Sequence, residues 1–454
     1  MLIATTPRAM EMLPDDWAEK LSPEAVLETC RDALTRVDPA QRRAWRACRQ
    51  IEALHDPGRS ARLAYSLLED PALPEHRDWP EGQIVYVHAP LRRPMSRRGQ
   101  VVNLHGVEVE LYAFPNDRRL RGLRRFTGKS DALNAWRQWL AEAGSDFEPD
   151  ESSLQRQLMR YVPEQKWIVR LRVDGRPRGG GETKSKRIAV RCTAPAACRT
   201  LLRRHQQLSR AAPHPDGVCA PAAVGANPAD GVLAIEWARG DTLLETLRER
   251  PAGDVLRSVA TLLRRFHVLS IDDLIEHRTH HVQVRVSSAA IDLAAACPDR
   301  RARFEALRSD VNHRLSALPR TDAVTLHNDF HWNQLRIKRE RFTVLDFERL
   351  ARGDAWIDAA NFATQLCMLG HRPQLNVRVD QGRAWALEFL HAWERGGGAA
   401  PDRERLRLYS CLSLLELARG MMRHVRPGWR DLAVRCLEAA EAELGGRGLT
   451  GDVA

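Results

Sequence analysis

The stretch Leu326-His327-Asn328-Asp329-Phe330-His331-Trp332-Asn333-Gln334 decides how the chain is read, together with Val344-Leu345-Asp346-Phe347-Glu348 and Gly353-Asp354-Ala355-Trp356-Ile357-Asp358-Ala359-Ala360-Asn361. Between the first two segments, 335–338 and 342–347 read as short strands around the polar turn Arg339-Glu340-Arg341. A hairpin there returns the chain to its starting point. Gln334 and Asp346 then lie near each other, and Asp329 stands five residues before Gln334. Three oxygen-bearing side chains can converge. Two can hold a hard cation through oxygen, and the third remains free to orient a nucleophile. A metal on phosphates with a carboxylate beside an attacking hydroxyl is the layout that phosphoryl transfer requires.

Working outward, the chain beyond Asp241 reads as mostly helical. Upstream, 154–162, 167–173 and 187–192 read as three strands. The first two are joined by the tight turn Pro163-Glu164-Gln165-Lys166, the last two by a basic loop containing Gly179, Gly180 and Gly181. A helix over 196–210 and a strand over 232–237 follow. In the third strand, Ala189 and Arg191 share one face. Further back, 130–143 reads as a helix capped by Ser130 or Asp131. The runs 83–88 and 101–113 read as strands, and 1–90 otherwise as mainly helical. The stretch 24–54 has apolar residues at helical spacing up to the Asp56-Pro57-Gly58 turn.

At 454 residues the chain holds about two or three domains. No apolar run approaches the ~18 residues of a membrane span. The start, Met1 to Trp17, lacks the apolar segment of a secretory signal. The nine cysteines are scattered without a C-x-x-C pair, which argues against a disulfide framework or zinc site and fits a reducing cytoplasm. The net charge of +11 is concentrated: 155–210 carries fifteen Lys/Arg against three Asp/Glu, and 91–130 ten against three. Phosphate binding, a polyanion surface or a solvated Arg-rich face would each produce this. The cluster Arg118, Arg119, Arg121, Arg124 and Arg125 reads most simply as a solvated face. Trp332 and Trp356 read as core packing before they read as a platform for a ligand.

The central residues resemble the catalytic core of kinase-like phosphotransferases, the aminoglycoside phosphotransferase and choline kinase superfamily. His327-Asn328-Asp329 resembles the His-Arg-Asp of the protein-kinase signature, and Asp346-Phe347-Glu348 its Asp-Phe-Gly. His331 and Glu348 match the small-molecule branch better, and Gly353-Asp354 with Asp358-Ala359-Ala360 resembles its Gly-Asp-Pro…Asp-Leu-Ala segment. Ile235-Glu236-Trp237-Ala238-Arg239-Gly240 resembles the hinge, and 263–267 the short leucine-and-histidine helix motif.

The resemblance implies an α+β, bilobal protein-kinase-like fold. A small antiparallel β-sheet N-lobe would span 106–236 and a mainly helical C-lobe 237–454, after an N-terminal extension over 1–105. It implies transfer of the γ-phosphate of ATP or GTP to a hydroxyl of a sugar, an aminoglycoside-like molecule or an amino alcohol. Asp329 would be catalytic, Gln334 and Asp346 would hold Mg²⁺, and Arg191 with the backbone of Glu236, Trp237 and Ala238 would bind nucleotide. The expected partners are nucleotide and a small-molecule acceptor; nucleic acid ranks last, because it leaves Asp329, Gln334 and Asp346 unexplained.

Four features depart from the pattern. Gln334 stands where Asn is usual, with Asn333 as the adjacent alternative ligand. Arg191 stands where Lys is expected, and the two are not equivalent on phosphate. No Asp or Glu occurs between Thr183 and Pro215, so the following helix cannot supply the Glu that pairs that Lys. No Gly-x-Gly-x-x-Gly loop is present, and the turn 163–166 takes its topological place. These departures motivate the alternative of a pseudokinase that binds nucleotide or a protein partner without turnover. His327 is expected to brace its loop, while Asp354 and Asp358 cap a helix start and brace the catalytic loop.

Overall fold

In the computed structural model, which describes residues 16–37, 45–69, 83–89, 99–126, 128–211 and 219–449, the helical reading of 24–54 holds only in part. Helix Pro23–Val37 forms, but the chain then enters β1 (Ala47–Asp56), which pairs antiparallel with β2 (Ser60–Leu68) across the Asp56 turn. Pairing overrides the helical spacing here, because β2 alternates: Ala61, Leu63, Tyr65 and Leu67 lie on one face and Ala64 on the other. β3 (Gln83–Ala89), β4 (Gln100–Leu104) and β5 (Val107–Ala113) complete an antiparallel sheet of order β1-β2-β3-β5-β4. A division at 105/106 therefore falls inside the β4–β5 hairpin. Gly106 takes φ +86° there and donates its amide to Asn103 Oδ1 at 2.7 Å.

The chain divides into two compact units: Met1–Leu202 with Ala223–Trp237 and Arg423–Val425, and Arg203–Ala222 with Ala238–Met422 and Arg426–Ala454. In the first, one face of the five-stranded sheet packs on Trp17, Leu21 and Val26. The other face contributes Ala64, Ile84, Tyr86 and Tyr112 to a core shared with a six-stranded sheet. That sheet comprises β6 (Phe147–Pro149), β7 (Gln155–Val162), β8 (Lys166–Pro177), β9 (Lys184–Cys192), β10 (Ala223–Asn227) and β11 (Val232–Glu236). Its order is β10-β11-β9-β8, with β6 and β7 sharing the remaining edge of β8. β6 can close there because residue 175 is glycine: a Cβ would lie 2.1 Å from Glu148 O. Helix Lys129–Glu142 inserts Trp136 and Trp139 into the same core. Its N-cap is Gly128 rather than Ser130 or Asp131, and Asp131 lies in the first turn. Trp136 and Trp167 are fully buried, and truncating such a residue to Ala costs about 3–5 kcal/mol.

The second unit is mainly helical. Helices Leu243–Glu249, Ala252–His267, Thr279–Ala296, Arg301–Ala317, Trp356–Cys367, Val379–Arg395, Arg403–Arg423 and Trp429–Leu444 enclose one apolar core. The first helix opens on a capping box: the Glu245 amide donates to Thr242 Oγ1, and the Thr242 amide to the Glu245 carboxylate. Two small sheets sit among the helices: β12 (Asp241–Thr242) with the hairpin β14 (Leu335–Lys338) and β15 (Arg341–Val344), and β13 (Val324–Leu326) with β16 (Ala351–Gly353). Antiparallel sheets in the first unit and helices in the second make the architecture α+β. Among the described residues, no helix is long and apolar enough to cross a membrane.

Candidate active site

β13 ends at Leu326, paired with Ala351 of β16, which lays the residues after β13 beside the residues before β16. His327 comes next and is completely buried among the rings of Phe266, Phe330 and Phe347. Its Nε2 lies 2.8 Å from Leu345 O, tying the loop to the end of β15. The amides of His327 and Asn328 donate to the two oxygens of the buried Asp358 carboxylate at 2.8 and 2.7 Å, and His267 Nε2 lies 3.3 Å from it. Asp354 accepts the Trp356 amide at 3.0 Å and is held by Arg405 and Tyr409. Both acids thus stabilise backbone at a helix start and at the loop.

Asn328 takes the left-handed conformation, φ +61°, which turns the chain sharply before Asp329. Its Oδ1 accepts from Arg285 Nη1 at 2.6 Å and its Nδ2 donates to Arg349 O at 3.1 Å. On the far side, Phe330 O accepts from Asn361 Nδ2 at 2.9 Å. Asp329 therefore projects from backbone fixed on both sides, with its side chain 32% exposed and open to a ligand.

The nearest cation is Arg349, whose Nη1 lies 3.9 Å from Asp329 Oδ1 and 3.7 Å from Glu416 Oε2. Glu416 raises the Arg349 pKa against the opposing effect of burial, and Asp329 and Asp346 add to the rise. Both candidate carboxylates therefore act on one guanidinium. Burial pushes Glu416 up, but Arg285, bidentate at 2.9 and 2.6 Å, and Arg349 outweigh it and bring the carboxyl down to about 2. Burial lowers the His331 imidazole, opposed by Asp329 and Asp346. Its Nδ1 accepts the Asn333 amide at 3.2 Å, opening the turn Trp332–Gln334.

Gln334 and Asp346 stand at the same end of the β14–β15 hairpin. Leu335 pairs with Val344, and the Leu345 amide donates to Gln334 O at 2.8 Å. Asp346 adopts φ +60° as the strand turns away. Among the described residues no group of three His, Cys, Asp or Glu forms a metal cage. One carboxylate and one amide oxygen nevertheless fit Mg²⁺, which takes few protein ligands and completes its shell with water and phosphate oxygens.

The remaining candidates lie mostly in the first unit. Arg191 on β9 pairs with Ile168 and Leu233, and Ala189 with Arg170 and Ile235. Leu233 and Ile235 pack with Cys198 and Leu201 of helix Pro195–Ala211, so Ala189 and Arg191 belong to the helix-covered face. Glu236 pairs with Ile188 in the sheet, and the Trp237 amide donates to Arg187 O at 3.3 Å. That amide is thus engaged within the sheet. Ala238 opens the second unit's segment.

The turn 163–166 is pinned. Glu164, at φ +63° and buried, donates its amide to Asp117 Oδ2 at 3.0 Å, and its carboxylate faces His88, Arg62, Arg118 and Arg119. Arg118 is therefore no solvated residue: its Nη1 lies between Glu110 and Glu164, at 3.7 and 3.9 Å. Arg119, Arg121, Arg124 and Arg125 remain exposed. Sequence reasoning did not single out Arg285, Arg349 or Glu416. Arg349 carried a signal, standing directly after Asp346-Phe347-Glu348. Arg285 and Glu416 are 131 residues apart and carried none.

The model of a family described as phosphotransferase enzymes matches residues 161–409. Among solved structures, the chain is similar to a choline/ethanolamine kinase family protein from Mesorhizobium loti, at 15% identity over 71% of this chain and 99% of that one, with TM-score 0.44. It is also similar to a thermostable mutant of aminoglycoside phosphotransferase APH(4)-Ia in complex with AMP-PNP and hygromycin B, at 15% identity over 68% and 97% of the two chains, TM-score 0.47. A choline kinase from Cryptosporidium parvum Iowa II matches at 11% identity over 65% and 90%, TM-score 0.46. Among curated proteins, none matches the chain.

Proposed function

The chain belongs to the phosphotransferase enzyme family, and from that premise we propose that it moves the γ-phosphate of ATP or GTP to a hydroxyl of a small molecule. Asp329 accepts the hydroxyl proton as the acceptor oxygen bonds to phosphorus and the bond to the bridging oxygen breaks. Gln334 and Asp346 are the residues that would hold Mg²⁺, which when bound supplies positive charge to the phosphate oxygens. Arg191 neutralises further phosphate charge. The observation that carries this reading is the 2.8 Å contact between His327 Nε2 and Leu345 O: it joins the loop bearing Asp329 to the strand end bearing Asp346.

The test is calorimetry of ATP and GTP binding, with and without Mg²⁺, on the intact chain and on Asp346→Ala. Metal-dependent binding that the variant loses supports the reading. Phosphorylation of a sugar or amino alcohol that Asp329→Asn abolishes then completes it. No nucleotide binding by the intact chain overturns it. One observation favours a second reading, a pseudokinase: helix Pro195–Ala211 offers no acidic residue to pair Arg191. Metal-dependent binding without turnover of any acceptor, and biological activity intact in Asp329→Asn, would select that reading.

A further inference from the structure

Asp346 is a non-glycine residue in the left-handed region, a conformation that persists only where neighbours enforce it. Upstream, the bonds from the Leu345 amide to Gln334 O and from Leu345 O to His327 supply that enforcement. Downstream stands the short turn Phe347–Arg349. Its Arg349 carbonyl is held by Asn328 Nδ2, and one other side chain takes the carbonyls on either side of Arg349. Arg204 Nη1 donates to Phe347 O at 2.8 Å and to Glu348 O at 2.6 Å, and its Nη2 donates to Leu350 O at 3.1 Å. The next residue, His205, sets its ring edge-on against Phe347 at 5.3 Å and is itself fixed by Pro221 O at 2.8 Å.

We propose that Arg204 is a positioning residue for Asp346, a guanidinium clamp on three of the four carbonyls that follow the metal-binding carboxylate, those of Phe347, Glu348 and Leu350. The proposal rests on the reading of Asp346 as a metal ligand. Helix Pro195–Ala211 has no acid to offer the site, and it reaches the Asp346 segment with a cation instead. The planar fork spans three acceptors at once; an ammonium at the same position cannot reproduce that geometry. Asp346 then meets its cation in a fixed orientation rather than having to be ordered by it.

The experiment compares the full chain with Arg204→Lys and Arg204→Met. The control is Arg203→Lys, an exposed neighbour on the same helix that pairs with Asp273. Amide hydrogen exchange is read over 346–350 without nucleotide, and the Mg²⁺ concentration for half-maximal nucleotide binding is read by calorimetry. Losing charge-assisted bonds to carbonyls is expected to speed exchange in that segment, and to raise the Mg²⁺ requirement, by about tenfold or more. Metal-free nucleotide affinity should stay unchanged, and Arg203→Lys should show neither effect. Unchanged exchange in both Arg204 variants overturns the proposal, as does faster exchange with no change in Mg²⁺ requirement. Should Arg204→Met lose its fold, seen as fast exchange throughout the chain, Arg204→Lys carries the test. Failure of the function reading shows instead in the intact chain, as nucleotide binding that ignores Mg²⁺, and it removes both.

Discussion

Glu164 Oε1 lies 2.8 Å from His88 Nδ1, so a carboxylate in the β7–β8 turn is buried against a side chain of β3. Arg119 at 3.6 Å, with Arg62 and Arg118 each at 3.9 Å, completes the surroundings. Burial acts to raise the carboxyl, but His88, Arg118 and Arg62 hold it below the ordinary Glu value. Removing the acid takes the 2.8 Å partner from buried His88 and leaves Arg118 facing Glu110 and Arg62 facing Asp56 without the carboxylate they shared. Glu164→Ala is expected to destabilise the chain by about 3–5 kcal/mol, and Glu164→Gln by less, because the amide still bonds His88. Urea titration reads both; a loss within ~0.5 kcal/mol for Glu164→Ala would place the Glu164 cluster among energetically neutral ion pairs.

Two groups beside Asn328 set an acid limit. Burial, with Arg285, lowers the His277 imidazole from 6.5 to about 4, and Asn328 Nδ2 stands 3.3 Å from its Nδ1, which suits the neutral ring. Below pH 6.5 the unfolded chain takes up a proton that the folded chain refuses, so stability falls between 6.5 and about 4. Glu416, held at about 2 against an ordinary 4.5, contributes stability that is lost as pH falls from 4.5 towards 2. The urea midpoint should therefore decline in two overlapping stages on acidification. His277→Gln should flatten the upper stage alone; an unaltered slope above pH 4.5 in that variant would assign the decline to other groups.

Asp358 is the acceptor for two consecutive buried amides. Asp358→Ala leaves both amides unpaired, at about 1–3 kcal/mol each. Asp358→Asn keeps one acceptor oxygen and should lose roughly half as much. Because these amides precede Asp329 directly, kcat for any phosphorylated acceptor should fall further than KM rises. Equal stability of the alanine variant and the intact chain would rule out this account of the loop.

Legibility varied with the range of the interactions. The β14–β15 hairpin, the bracing role of His327 and the helix-start role of Asp354 were readable, because each depends on residues close in sequence to a recognisable pattern. Trp356 is buried, as its core-packing reading expects. The stretch 47–54 was misread as helix because its apolar spacing satisfies two periods, and only pairing with 60–68 selects one. The Glu164 cluster was invisible: His88 and Glu164 lie 76 residues apart, and an arginine-rich stretch gives no sign of which guanidinium is buried. Arg204 was equally hidden, since its partners are carbonyls, which every residue has.

Arg191 remains the sharpest departure from the expected pattern, and its chemistry separates two outcomes. On β9 it pairs with Ile168 and Leu233, on the same face as Ala189. If the guanidinium meets phosphate, Arg191→Met should weaken ATP and ADP binding by about tenfold or more, the worth of a charge-assisted contact, and leave adenosine binding unchanged. Arg191→Lys keeps the charge but loses the bidentate fork, so it should recover part of the ATP affinity and little of the turnover. Equal weakening of adenosine and ATP in Arg191→Met would show that the residue supports the sheet rather than the phosphates. The phosphate charge would then rest on Mg²⁺ and on cations elsewhere in the chain. Measuring adenosine beside ATP is what makes the distinction, because a general loosening of β9 acts on both ligands and a lost phosphate contact on only one.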